Sequence, residues 1–205
     1  MSTETWWLDE TPIEHFLVDE YDIRAYVPSD VEMIVSAVTE SIEHLRPWMP
    51  WVAFEPQSIE QRSVLVREWQ SDWSNKKDFN FGIFAGDNHV GSTGLHPRSD
   101  RGCLEIGYWV HAKHLNRGIA TLAAQTMLEA AFGMKPVLAV ELVHDSKNVP
   151  SRRIAEKIGF VLHEEFLKVD DSYYSHVASA PAESGVMCRW RMSRDRWSTL
   201  WGENH

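Results

Sequence analysis

The sequence predicts an α+β (mixed α/β) fold, a mostly antiparallel twisted sheet with helices on both faces. Three observations predict it. Apolar residues recur at helical spacing in four stretches and at strand spacing in seven others. The two kinds interleave in the order β-α-α-β-β-β-α-β-α-β-β, which suits neither an all-helical bundle nor a purely parallel sheet. The 205 residues carry no repeat and no Gly/Ser-rich linker, and the length suits one core rather than two. One domain over 1–205 is therefore expected, with 1–19 as an N-terminal extension.

The elements follow in order. Glu20 to Val27 alternates and stops at Pro28, a short strand. Ser29 and Asp30 offer a cap before Val31, Ile34, Val35, Val38 and Ile42, a helix that runs out at Arg46-Pro47. Two prolines bracket Trp48-Met49, so this piece is expected to be loop. Ser58 to Trp73 is a second helix, with Gln61 three residues after the Ser58 cap. Phe79–Ala85 and Val90–Leu95 flank Gly86-Asp87-Asn88 as a hairpin. Leu104–His111 is a strand, and Ile119–Phe132 a helix closed by Gly133. Val137–Val143 is an apolar strand interrupted by Glu141. Asn148–Ile158 is a short helix, and Phe160–Val169 and Val186–Met192 are the last strands.

Composition narrows the function. With 43% hydrophobic and 24% charged residues the chain reads as an ordinary globular protein. No apolar run approaches the ~20 residues of a membrane span. The acidic start MSTETWWLDETPIEHF lacks the basic-then-apolar order of a signal peptide, so a cytoplasmic protein is expected. A net charge of −10 argues against a nucleic-acid partner and is compatible with a cationic amine acceptor. Cys103 and Cys188 read as two buried thiols, and the scattered histidines predict no metal.

Chemistry concentrates in Leu104 to Thr121, LEIGYWVHAKHLNRGIAT. A strand runs into Asn116-Arg117-Gly118 and then a helix start at Ile119, Ala120 and Thr121. The first N–H groups of a helix lack internal partners and the dipole favours an anion, so this is a phosphate site. Gly118 admits close approach and Arg117 adds a charge-assisted hydrogen bond. A plain turn glycine is the competing reading. It is neither a Walker loop nor a dinucleotide fingerprint.

The string EIGYWV, then NRGIAT, then NVPSRRIAEKIGF about thirty residues on, resembles the GNAT family of N-acetyltransferases, especially its RimJ/RimL-like branch. The upstream HLRPWMPW and FGIFAGDNHVGSTGL resemble that branch too, and the likeness spans Tyr21 to Phe166. It implies a GNAT-like fold and an acyl-CoA-dependent N-acyltransferase, with acetyl-CoA (coenzyme A) as co-substrate. Gly118 and Ala120 match the family's helix-start pattern. Leu115 stands where Gln or Arg is usual, and Asn116 replaces a frequent glycine.

The resemblance also implies roles. Trp109, Val110 and His111 would hydrogen-bond the pantetheine arm, with the Val110 N–H polarising the thioester carbonyl. Asn148 would hold the arm and Ser151 would stand near the sulfur; equally, Asn148 caps a helix and Ser151 is a first-turn residue. Glu105 matches the position of a base that deprotonates the amine. Alternation puts it on one face with Gly107, Trp109 and His111. Glu105 and His111 are about 20 Å apart, too far to serve one amine. Glu141, a carboxylate in an apolar strand that needs a partner, is a second candidate on the acceptor side. His144 is a third. Trp48 and Trp51 would wall the acceptor groove, or else plug the core. Trp6 and Trp7 suit either a surface cap or a homodimer contact. Neither cysteine is placed as a nucleophile, so direct attack is expected. Two alternatives are a larger acyl group such as succinyl, or a CoA-binding sensor without turnover.

Overall fold

Alternating apolar residues generate the strands of the computed structural model, which describes residues 10–98 and 101–202. Among the described residues the strands are β1 (His15–Val18), β2 (Tyr21–Ala25), β3 (Phe79–Ala85), β4 (Asn88–His96), β5 (Cys103–Val110), β6 (Ala139–Asp145), β7 (Val161–Leu167) and β8 (Val186–Ser193). They form one sheet in the order β1-β2-β3-β4-β5-β6-β8-β7. Every neighbouring pair is antiparallel except β5 with β6.

The helices are α1 (Val31–Leu45), α2 (Ile59–Ser74), α3 (Ile119–Gly133), α4 (Val149–Lys157) and α5 (Arg194–Trp201). α2 starts in the reciprocal cap its sequence predicts: the Ser58 hydroxyl accepts the Gln61 N–H, and Gln61 Oε1 accepts the Ser58 N–H at 2.8 Å. Along β5, Leu104, Ile106 and Val110 join the main core with Ala123, Met127 and other residues of α3. Trp109 packs instead with the second cluster of Ile34, Val38 and Val66 from α1 and α2. Successive strand residues face opposite ways, so helices cover both faces. Full burial of each large side chain in these clusters contributes about 1.5–3 kcal/mol.

Three features depart from the expected order. Residues 15–18, placed in the extension, form β1 and pair with β2. Residues 194–201 form α5, capped by the Ser193 hydroxyl accepting the Arg196 N–H. The loop after α1 contains a 3-10 turn, Pro50–Phe54. Trp6 and Trp7 lie outside the described residues. Both cysteines are buried. No described helix is long and apolar enough to cross a membrane.

Candidate active site

The site begins where β5 and β6 part. They pair only through Cys103–Ala139, Leu104–Val140 and Glu105–Glu141. Beyond that, β5 keeps β4 as partner to Val110 and β6 keeps β8 to Asp145. The His111 N–H donates to the Val90 carbonyl on the β4 side at 2.9 Å. Backbone alternation then turns the N–H groups of Tyr108 and Val110 toward β6, where no strand partner remains. A cavity of about 1090 Å³ opens there, at the upper end of volumes that enclose a small-molecule ligand.

The start of α3 closes one end of the gap. Gly118 is its N-cap at φ 81°, in the left-handed region, and no side chain caps the helix. The N–H groups of Ile119, Ala120 and Thr121 therefore lack intrahelical acceptors, and all three residues line the cavity. A Cβ on Gly118 would meet nothing within 4 Å, so the space beside it is open. Asn116 also takes a positive φ of 59°. Leu115, Asn116 and Gly118 line the cavity, whereas the exposed Arg117 does not.

At the other end, Ser151 of α4 reaches across the gap to β5. Its Oγ lies 2.9 Å from the Tyr108 hydroxyl. Burial pushes the Tyr108 phenol up to about 12, so it stays protonated at neutral pH. Asn148 caps α4, its Oδ1 accepting the Ser151 N–H at 3.2 Å, and it also lines the cavity. Cap and cavity wall are compatible roles, because the Asn148 amide keeps two N–H donors.

The opposite wall is aromatic. Trp48 and Trp51 from the proline-bracketed segment, Tyr26 and Trp69 line it, with Trp51 and Trp109 ring centroids 6.1 Å apart. Glu105 is here too, 4% exposed, and each of its oxygens accepts a hydrogen bond. Oε1 accepts from Arg98 Nη1 at 3.0 Å, and Oε2 accepts from the Tyr174 hydroxyl. Burial and the neighbouring Glu105 carboxylate push the Tyr174 phenol well above its ordinary value.

Three expected residues are committed to other partners. His111 spends its N–H on Val90; its Nδ1 accepts the Lys113 N–H and its Nε2 lies 3.5 Å from Glu40, so neither ring nitrogen is left for a ligand. Glu141 is buried in an ion-pair cluster with Arg189 and Arg191, outside the cavity wall. His144 lines the cavity, yet its Nδ1 donates to the Asp145 carbonyl and its Nε2 accepts the Trp190 indole N–H at 2.9 Å. Burial also pushes that imidazole down. Sequence reading missed Tyr108, Arg98, Tyr174 and His96, which all line the cavity. Tyr108 carried a signal, standing between Gly107 and Trp109 in the motif strand. Among the described residues no three His, Cys, Asp or Glu side chains gather as metal ligands.

Fold and gap together define the class as acyl-CoA-dependent N-acyltransferases. The chain belongs to the GNAT family: the Acetyltransferase (GNAT) domain matches residues 22–161, well over half of it. "Putative ribosomal N-acetyltransferase YdaF" of Bacillus subtilis (strain 168) is 25% identical over 141 residues, 68% of this chain and 76% of that protein. The ribosomal-protein-S5-alanine acetyltransferase of Vibrio fischeri shares the fold, with a TM-score of 0.74 at 16% identity, covering 90% of this chain and 99% of that one. RimL, an alpha-N-protein acetyltransferase solved in complex with coenzyme A, gives a TM-score of 0.76 at 15% identity over 89% and 99%. The relatives thus carry the names of the RimJ/RimL-like branch that the motifs resemble.

Proposed function

We propose that the protein transfers the acetyl group of acetyl-CoA to the primary amine of a peptide, by direct attack within a ternary complex. The observation that carries this reading is the open edge of β5, where Tyr108 and Val110 present N–H groups between the α3 start and Ser151. In it the pyrophosphate sits on the N–H groups of Ile119, Ala120 and Thr121, and the pantetheine arm lies along Trp109 and Val110 beside Asn148. The Val110 N–H donates to the thioester oxygen as charge builds there. The Ser151 hydroxyl, paired with Tyr108, supplies the proton for the departing thiolate.

The aromatic wall of Trp48, Trp51 and Trp69 favours an acceptor with flat or apolar groups beside its amine, as a peptide has. The net charge of −10 favours a cationic acceptor in the same sense. The ribosomal-protein acetyltransferases among the relatives act on protein amines by name. The test is thiol release from acetyl-CoA with a series of short peptides differing in their first residue. Stoichiometric acetyl-peptide and free coenzyme A are expected for at least one. Silence across the series, with small amines silent too, would defeat the reading.

A further inference from the structure

Gly94 and Gly107 face each other across β4 and β5, and together they make room for one imidazole. A Cβ at Gly94 would stand 2.9 Å from His96 Nε2, and one at Gly107 would stand 3.1 Å from it. The His96 ring thus lies over the sheet at Gly107, between Glu105 and Trp109. It lines the cavity while only 8% exposed.

Its Nδ1 is 2.5 Å from Asp78 Oδ1, and that oxygen also accepts the Phe79 N–H at 3.0 Å, which fixes the carboxylate. A carboxylate beside Nδ1 holds the neutral ring in the Nδ1–H tautomer and leaves Nε2 as the nitrogen with a free lone pair. Among the described residues no protein group hydrogen-bonds Nε2. Glu105 differs: the Arg98 guanidinium on one oxygen and the Tyr174 hydroxyl on the other stabilise its charged form, which weakens it as a proton acceptor.

We propose that His96, oriented by Asp78, accepts the proton of the incoming ammonium in the role expected of Glu105; the proposal rests on the acyl-transfer reading above. The Gly107 position is about 10 Å along the strand from Val110, a gap that the amine and one bridging water span. His96 Nε2 takes one proton from the ammonium through that water. The freed nitrogen lone pair forms the C–N bond, and the carbonyl π pair moves to the oxygen facing Val110. The oxyanion pair then re-forms the carbonyl as the C–S bond breaks, and the sulfur leaves with its pair. A second amine proton reaches the thiolate through Ser151 and Tyr108, and His96 returns its proton to solvent. Asp78 acts through His96 and is a positioning residue. The other charged groups facing the ring are Glu105 and its partner Arg98.

Two measurements on the full chain with coenzyme A bound test it. Nitrogen-15 NMR is expected to show neutral His96 as the Nδ1–H tautomer, with Asp78→Asn raising the share of the Nε2–H tautomer. An Nε2–H tautomer in the wild-type protein would overturn the proposal. Kinetics use the peptide that the wild-type protein acetylates fastest. His96→Gln should lower kcat/KM about 10²-fold near pH 7, and the deficit should shrink above about pH 9 as the amine loses its proton to bulk water. Asp78→Asn should cost about tenfold in kcat/KM. An unchanged dissociation constant for coenzyme A shows that each variant is folded. His96→Gln within about threefold of wild type, or Glu105→Gln more damaging than His96→Gln, overturns the assignment. Absence of turnover by the wild-type protein is a different result: it removes the acyl-transfer reading itself, and the base with it.

Discussion

In the proposed reaction the Ser151 hydroxyl gives its proton to the departing thiolate, and Tyr108 is the residue placed to orient it. The phenol is held protonated by burial and sits 2.9 Å from Ser151 Oγ, so the two hydroxyls orient one another. Ser151→Ala is expected to lower kcat by about 10²-fold while leaving the dissociation constant of coenzyme A within about twofold of wild type, the signature of an interaction made in the transition state. Titration calorimetry beside steady-state kinetics reads both. Equal losses in affinity and turnover would make Ser151 a binding residue only. Glu105 shows why residue roles are hard to read from a motif. Its place in the strand is as expected, but its availability is set by Tyr174, 69 residues away in sequence. No local spacing reports such a contact.

At the scale of elements, the site depends on the splay of β5 from β6 and on the segment between β7 and β8. That segment is clasped inside by Lys168, whose Nζ donates to Glu183 at 2.6 Å and to the Ala178 carbonyl at 3.0 Å. Both side chains of the pair are nearly inaccessible, and both line the cavity. Lys168→Met leaves Glu183 buried without its partner and should destabilise the protein by roughly 3–5 kcal/mol. Because the clasp shapes the cavity wall, KM for the acceptor peptide should also rise. Denaturant unfolding and peptide titration check the two effects. α2 offers a milder case: Ser58→Ala removes one half of its reciprocal cap and should cost about 1 kcal/mol, read as a lower unfolding midpoint. That cap was legible because both partners stand within one turn. β1 was not, because four residues between Glu14 and Asp19 carry too little alternation to separate a strand from a tail. α5 was overlooked although Ser193 stood ready as its cap.

Over the whole molecule, stability should depend on a histidine that takes no part in the proposed reaction. His89 is buried against Tyr26, whose hydroxyl lies 2.9 Å from its Nε2, and burial pushes the imidazole down to about 3. Between that value and the ordinary value near 6.5, the unfolded chain binds a proton that the folded chain refuses. Stability contributed by this site is therefore present above about pH 6.5 and is lost as pH falls toward 3, by at most about 1.4 kcal/mol per pH unit. Urea midpoints measured from neutral to mildly acid pH should fall, and His89→Gln should flatten part of that slope; an unaltered slope would place the acid sensitivity elsewhere.

The proposed co-substrate half of the site is the one a motif can carry. Its residues fall in two contiguous stretches, 109–121 and 148–151, each tied to a strand end or a helix start. The proposed acceptor half draws on Tyr26, Trp51, Trp69, His96 and Tyr174, distant in sequence and brought to one cavity by the fold, with Asp78 behind His96. The insertion of β8 between β6 and β7 likewise leaves no trace in periodicity.

The central claim is that the gap between β5 and β6 holds coenzyme A by the start of α3, and calorimetric titration of coenzyme A into the wild-type protein and Gly118→Val tests it most directly. At φ 81° a valine is strained, and its side chain projects into the open space assigned to the pyrophosphate. One molecule of coenzyme A should bind each wild-type chain, and binding should be lost in a variant that keeps its circular dichroism. Equal affinity in the two proteins, or no binding to the wild type, would contradict the account.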